Sequence, residues 1–209
     1  MPKNSPSEVE FASLLVYSVR GVSDVSKRSK SRVRDPFKRG DNAALQLAAK
    51  RIQENLSVFA GYFDSDVALV PVPRSSPIRQ GNLWPSLLIC ETLLGHGLGG
   101  SIEQCLVRTK ETSKAAFTSG PRTVATHLES LELQMKRDLT TPTRFLLVDD
   151  IVTSGSTLFA AASLFDESDE VRAFAVLRSI SDGEIESPLE PVVGRIQYRG
   201  ITDTTGRRP

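Results

Sequence analysis

The run Phe145-Leu146-Leu147-Val148-Asp149-Asp150-Ile151-Val152-Thr153-Ser154-Gly155-Ser156-Thr157 constrains this chain more than any other stretch. Four apolar residues run straight into two carboxylates. Two more lead into a small, hydroxyl-rich group, and Leu158 to Phe165 then continues with helical spacing. A short continuous apolar run suits a strand buried on both faces, the small residues suit a tight loop, and the pattern beyond suits a helix. Such a unit has a chemical consequence. The first turn of a helix leaves backbone N–H groups unpaired, and its dipole favours negative charge there. Ser154, Gly155 and Ser156 let the backbone approach an anion closely, and Thr153, Ser154, Ser156 and Thr157 add hydroxyl donors. The run therefore predicts a phosphate cradle. Asp149 and Asp150 would repel a phosphate placed on them; they suit sugar hydroxyls or a magnesium ion lying beside it. A plain helix-capping device would account for one Asp and one hydroxyl, not for the whole run.

Strand and helix patterns alternate on either side. Phe11 to Val19 reads as a strand. Asp41 caps a helix over 42–59, carried by Leu45, Ala48, Ala49, Ile52, Leu56 and Phe59. Val67 to Val72 is of strand length, and Pro71 near its end predicts that the ladder stops there. Leu83, Leu87, Cys90 or Glu91, and Leu94 predict a helix with Pro85 in its first turn. Cys105 to Arg108 reads as a short strand, Val124, Leu128 and Leu131 as a short helix, and Val171–Leu177 and Val192–Ile201 as further strands. The expectation is a doubly wound α/β fold around a mostly parallel sheet. It divides into an N-terminal strand plus basic loop at 1–40, the main domain at 41–201, and a flexible tail at 202–209.

Two other segments bear on chemistry. Gly21 to Gly40 carries Lys27, Arg28, Lys30, Arg32, Arg34, Lys38 and Arg39 against Asp24 and Asp35, with serines and a proline that predict a loop. It is either a solvated surface segment or an anion-contacting arm for nucleic acid, a partner protein or substrate phosphates. The net charge of +1 requires any such site to be local. Pro73-Arg74-Ser75-Ser76 follows a strand, which places a cation and free N–H groups at the carboxyl edge of the sheet, where open α/β sheets bind ligands. Cys90 and Cys105 are too few for a disulfide framework, and with His96 and His127 they make no zinc set. His127 has no evident Ser, Asp or metal partner, and Cys90 falls on an apolar helix face. The absence of a long apolar run and of a signal-peptide pattern gives no membrane partner and a cytoplasmic location as the expectation.

The Phe145–Thr157 run resembles the phosphoribosyl-pyrophosphate (PRPP) signature of the type I phosphoribosyltransferases. That resemblance implies that Asp149 and Asp150 orient the ribose and that Thr153, Ser154, Gly155, Ser156 and Thr157 hold the 5′-phosphate. It also implies that Arg74 and Ser75 hold the pyrophosphate, that Lys110 or Lys114 closes over it from a lid, and that Mg2+ enters with PRPP, met directly by Asp149 or Asp150 or only through the substrate. Phe37-Lys38-Arg39-Gly40-Asp41, Val70-Pro71-Val72-Pro73, Arg79 to Asn82, and Arg108-Thr109 with Lys114 and Arg122 resemble the ComF-like, amidophosphoribosyltransferase-like branch. The chain departs from that branch in lacking its N-terminal four-cysteine zinc element and in reading Arg79-Gln80-Gly81-Asn82-Leu83 where the branch has Arg-Gly-Phe-Asn-Gln. Thr153 stands where purine-salvage members carry an Asp, and a hydroxyl is a poor general base at neutral pH. Two readings stay open: a transferase that moves the phosphoribosyl group to a nitrogen acceptor with pyrophosphate release, and a non-catalytic PRPP- or nucleotide-sensing module of competence or defence type, with a nucleic-acid or protein partner at residues 27–39. A homodimer is compatible with either.

Overall fold

The computed structural model describes residues 6–19, 22–77, 81–111, 123–182, 185, 187–200 and 204–208. The chain begins with β1 (Glu8–Ser18) and a helical stretch made of α1 (Asp24–Ser29), a π-helical turn Lys30–Arg34, and α2 (Asp35–Arg39). α3 (Asn42–Glu54) is capped by Asp41, whose carboxylate accepts from the Ala44 N–H at 2.9 Å. Then come β2 (Ala68–Pro71), α4 (Pro85–Gly95), β3 (Ser101–Ile102), β4 (Leu106–Arg108), α5 (Val124–Leu128) and β5 (Leu131–Leu133). The second half runs β6 (Arg144–Val152), α6 (Ser156–Ala162), β7 (Glu170–Ile180), β8 (Leu189–Arg199) and β9 (Thr204–Arg208).

Among the described residues, seven strands form one sheet in the order β3-β2-β6-β7-β1-β8-β9. The first five are mutually parallel; β8 and β9 extend the sheet antiparallel. β4 and β5 pair separately. Successive strand residues point to opposite faces, and both faces are buried. Leu69, Leu146, Val148, Phe174 and Val176 pack with Leu45, Ala49 and Ile52 of α3 and Ile89, Cys90 and Leu93 of α4. Val70, Phe145, Leu147, Ala173 and Ala175 pack with Val124 of α5 and with Leu158, Phe159 and Ala162 of α6. Helices thus cover both sides, which is why the central strands read as unbroken apolar runs. Cys90 is fully buried, as its apolar helix face predicts, and burial pushes its thiol well above the usual range. No helix among the described residues is long and apolar enough to cross a membrane.

The strand order reverses direction between β2 and β6. From β2 the chain moves outward to β3; from β6 it moves the other way, to β7. Such a reversal opens a crevice beyond the strand carboxyl ends. The β2–β6 pairing ends at Pro71 opposite Val148, with one more bond from the Val72 N–H to the Val148 carbonyl at 2.9 Å. Asp149 is the next residue of β6.

Two expectations are overturned. The basic loop expected at 21–40 is helical from Asp24 to Arg39. Its buried side includes Ser26, Ser29 and Phe37, too polar a face to show as an apolar stripe. The carboxylate of Asp182, beyond β7, holds its start: it accepts from the Val22 N–H at 3.0 Å, the Ser23 hydroxyl at 2.7 Å and the Ser26 hydroxyl. The tail expected at 202–209 contains β9, paired with β8 from Thr204–Arg199 to Arg208–Arg195. Backbone pairing, not side-chain hydrophobicity, places it. Boundaries also move: β1 starts at Glu8, α3 stops at Glu54 and turns follow it to Tyr62, α4 starts at Pro85, Leu131 falls in β5 rather than in the short helix, β7 runs to Ile180 and β8 starts at Leu189.

Candidate phosphosugar cleft

The two acids at the end of β6 meet different partners. Asp149 opens on a cleft of about 450 Å³, lined otherwise by residues 151–158 and His127. Its Oδ1 accepts from the Asp150 N–H at 2.8 Å and from the Ser86 hydroxyl, in the first turn of α4, at 3.3 Å. Loss of solvation, and then the neighbouring Asp150 charge, raises the Asp149 carboxyl well above the usual carboxylate range. Asp150 is absent from the cleft wall. Its Oδ2 pairs with Lys38 Nζ of α2 at 3.5 Å. The two carboxyls stay close enough for the Asp150 side chain to act on Asp149, but only Asp149 lines the cleft, while Asp150 meets α2.

The loop between β6 and α6 depends on Gly155. Its φ of +94° lies in the left-handed region, and a Cβ there would come within 2.8 Å of the Ile196 side chain on β8. The Ser154 and Ser156 hydroxyls are 3.0 Å apart. The Thr205 hydroxyl of β9 donates to the Ser154 carbonyl at 2.9 Å and lies 3.0 Å from the Ser156 Oγ. The loop is thus clamped from the opposite end of the chain. Ser156 is buried and its hydroxyl is engaged in this clamp, whereas Thr153 and Ser154 are exposed and Thr157 is half-buried. An anion in the cleft would meet Thr153, Ser154, Thr157 and the loop N–H groups. α6 has seven residues, so loop donors outweigh any helix dipole.

One wall of the cleft was not foreseen as part of it. His127, on α5, is 2 % exposed, and its Nε2 lies 3.2 Å from Thr157 Oγ1. Sequence could not pair residues 30 positions apart through α5–α6 packing. Ser86 and Thr205 carry no signal in the sequence for the same reason, since each reaches its partner only through tertiary structure; Lys38 belongs to the basic segment, and its pairing with Asp150 is likewise tertiary.

Arg74 and Ser75 lie where expected along the chain, just beyond β2, but not on the wall of this cleft. Arg74 Nη1 donates to the Leu83 carbonyl at 2.9 Å, and its own carbonyl accepts from Arg108 Nε at 3.0 Å. Arg108 is 3 % exposed and donates a further bond to Ser130 Oγ at 2.6 Å. The Trp84 indole N–H bonds to the Val72 carbonyl at 3.0 Å. These bonds tie Arg74 to Leu83 and Arg108, and Trp84 to Val72, with the Arg74 guanidinium turned onto the Leu83 carbonyl. Lys110 is exposed two residues beyond β4. Lys114, Arg122 and Arg79 lie outside the described residues. Among the described residues, no three His, Cys, Asp or Glu side chains group as a metal site. The basic residues of 27–39 are partly spent within the protein: Lys27 on Asp24, Arg34 on Asp35 and Lys38 on Asp150.

Scanned against models of known protein families, the chain matches none, and a search of curated proteins finds no match.

Proposed function

We propose that the cleft binds a phosphoribosyl compound, PRPP or a nucleotide, and that the protein is a type I phosphoribosyltransferase-like enzyme of the ComF-like kind. The observation that carries this reading is the opening of Asp149 and the Thr153–Thr157 loop onto one 450 Å³ cleft at the carboxyl end of β6. The 5′-phosphate would lie against the loop N–H groups and the Thr153, Ser154 and Thr157 hydroxyls. Asp149 would accept from the ribose hydroxyls, oriented by Ser86. Its raised carboxyl fits a partly desolvated group that a donor-rich ligand or a cation would return to the charged form.

Magnesium would enter on the substrate's phosphate oxygens, with Asp149 as the protein carboxylate at hand, and would neutralise charge on the departing pyrophosphate. In transfer, the bond from the anomeric carbon to pyrophosphate breaks as a nitrogen acceptor bonds to that carbon; the acceptor's proton leaves to solvent. The protein's part is positioning and charge stabilisation, with no covalent intermediate. A second reading, a binding module without turnover, draws support from Arg74 turned onto Leu83 and Asp150 held by Lys38.

Isothermal titration with PRPP and magnesium tests the binding. Heat that disappears in Asp149→Asn is the expected outcome; no heat with the unaltered protein overturns the reading. Pyrophosphate release across a panel of nitrogen acceptors then separates enzyme from sensor.

A further inference from the structure

Thr157 has one hydroxyl proton, and two directions compete for it. It lines the cleft, and its oxygen is 3.2 Å from the Nε2 of a buried imidazole. A threonine hydroxyl offers a single O–H donor and two acceptor lone pairs, while a neutral imidazole has one donor and one acceptor nitrogen. If Nε2 accepts, Thr157 spends its proton on His127 and presents lone pairs, which repel an anion. If Nε2 carries the hydrogen, it donates to Thr157 Oγ1, and the Thr157 O–H is free to point into the cleft. Only the second arrangement makes Thr157 a donor to phosphate.

We propose that His127 is a positioning residue for a phosphate monoester in this cleft: its Nε2–H donates to Thr157 Oγ1 and turns the Thr157 hydroxyl toward the ligand. The inference rests on the phosphosugar reading of the cleft and adds a residue on α5 to it. His127 is 2 % exposed, held in the wall where α5 packs on α6, so its ring is not free to swing aside. The donor it sets belongs to the first turn of α6, beside the Ser154–Ser156–Thr205 clamp.

The test is calorimetric titration of the full chain with ribose 5-phosphate, using wild type, His127→Leu, His127→Gln, Thr157→Val and the His127→Leu/Thr157→Val pair. Losing a hydrogen bond to a charged ligand predicts roughly ten-fold weaker binding in His127→Leu and in Thr157→Val. Because His127 acts through Thr157, the double variant should bind no more weakly than Thr157→Val alone. His127→Gln, whose amide N–H₂ reaches the Nε2 position, should restore most of the affinity. Additive losses, or unchanged affinity in His127→Leu, overturn the role of His127 while leaving the phosphosugar reading intact. A wild type that binds no ribose 5-phosphate overturns both. Imidazole 15N spectra of the wild type give a readout that needs no core substitution. The chain has two histidines, and His96→Gln, at the surface beside Gln46, assigns them. A hydrogen on His127 Nε2, with a shift that moves on adding ribose 5-phosphate, is expected; a bare Nε2 overturns the proposal.

Discussion

The hydroxyl of Thr205 lies 3.0 Å from that of Ser156 and donates to the Ser154 carbonyl at 2.9 Å. The last strand of the sheet therefore holds the first turn of α6 and the loop before it. Thr205→Val keeps the shape and removes these bonds. It should cost about 1 kcal/mol in urea unfolding and weaken ribose 5-phosphate binding while leaving the far-ultraviolet spectrum unchanged. Full affinity in that variant would show that the clamp does not set the loop.

Gly155 faces Ile196 with no room for a methyl group. Gly155→Ala combines a left-handed backbone conformation, about 1–2 kcal/mol for an L-residue, with overpacking against a buried side chain, about 1–3 kcal/mol. A loss of about 2–5 kcal/mol in chemical denaturation is expected. Adding Ile196→Ala relieves the clash but opens a cavity and leaves the backbone strain, so the double variant should stay well below wild type. Tolerance of Gly155→Ala at wild-type stability would contradict this backbone geometry.

Asp149 should destabilise the fold at neutral pH. Its carboxyl is raised by lost solvation and then by Asp150, so the native state favours the protonated form. Stability from this group is intact below the unfolded value, about 3.9, and declines as pH rises through the raised native value. Asp149→Asn escapes that decline. It should melt higher than wild type at pH 7, with the gap closing as pH falls toward 4, and should bind ribose ligands more weakly. A lower melting temperature at pH 7 would count against it.

Asp182 has the opposite sign. The Ser26 hydroxyl first, then Ser23, lowers its carboxyl to about 2. Its contribution is present above the unfolded value of about 3.9 and is lost as pH falls toward 2. In Asp182→Asn, amides of residues 24–39 should exchange faster than in wild type at pH 7, and that difference should shrink between about pH 4 and pH 2. Identical exchange at pH 7 would mean that Asp182 does not secure the start of α1.

The legible parts of the chain were those whose signal is local. The unbroken apolar character of Phe145–Val148 identified a central strand because helices cover it on both faces. Asp41 and the Leu45–Ile52 spacing identified α3 because capping and a 3.6-residue period lie within one element. The 24–39 stretch was misread because its buried side is made largely of serines, whose partner, Asp182, lies more than 150 residues away. β9 was misread because Thr204–Arg208 carries no apolar alternation.

The sequence by itself determined a strand, a tight glycine loop and a helix at residues 145–162, and with them the hydroxyls and the acid that face the cleft. Hydrophobic period and the conformational freedom of glycine are properties of a short stretch. Tertiary structure alone decided that Asp149 lines the cleft while Lys38 pairs with Asp150, and that Thr205 and His127 hold the loop and the first turn of α6 from either side. Those pairings follow from the order of strands in the sheet and the packing of helices on its two faces, which bring together residues that no local pattern links.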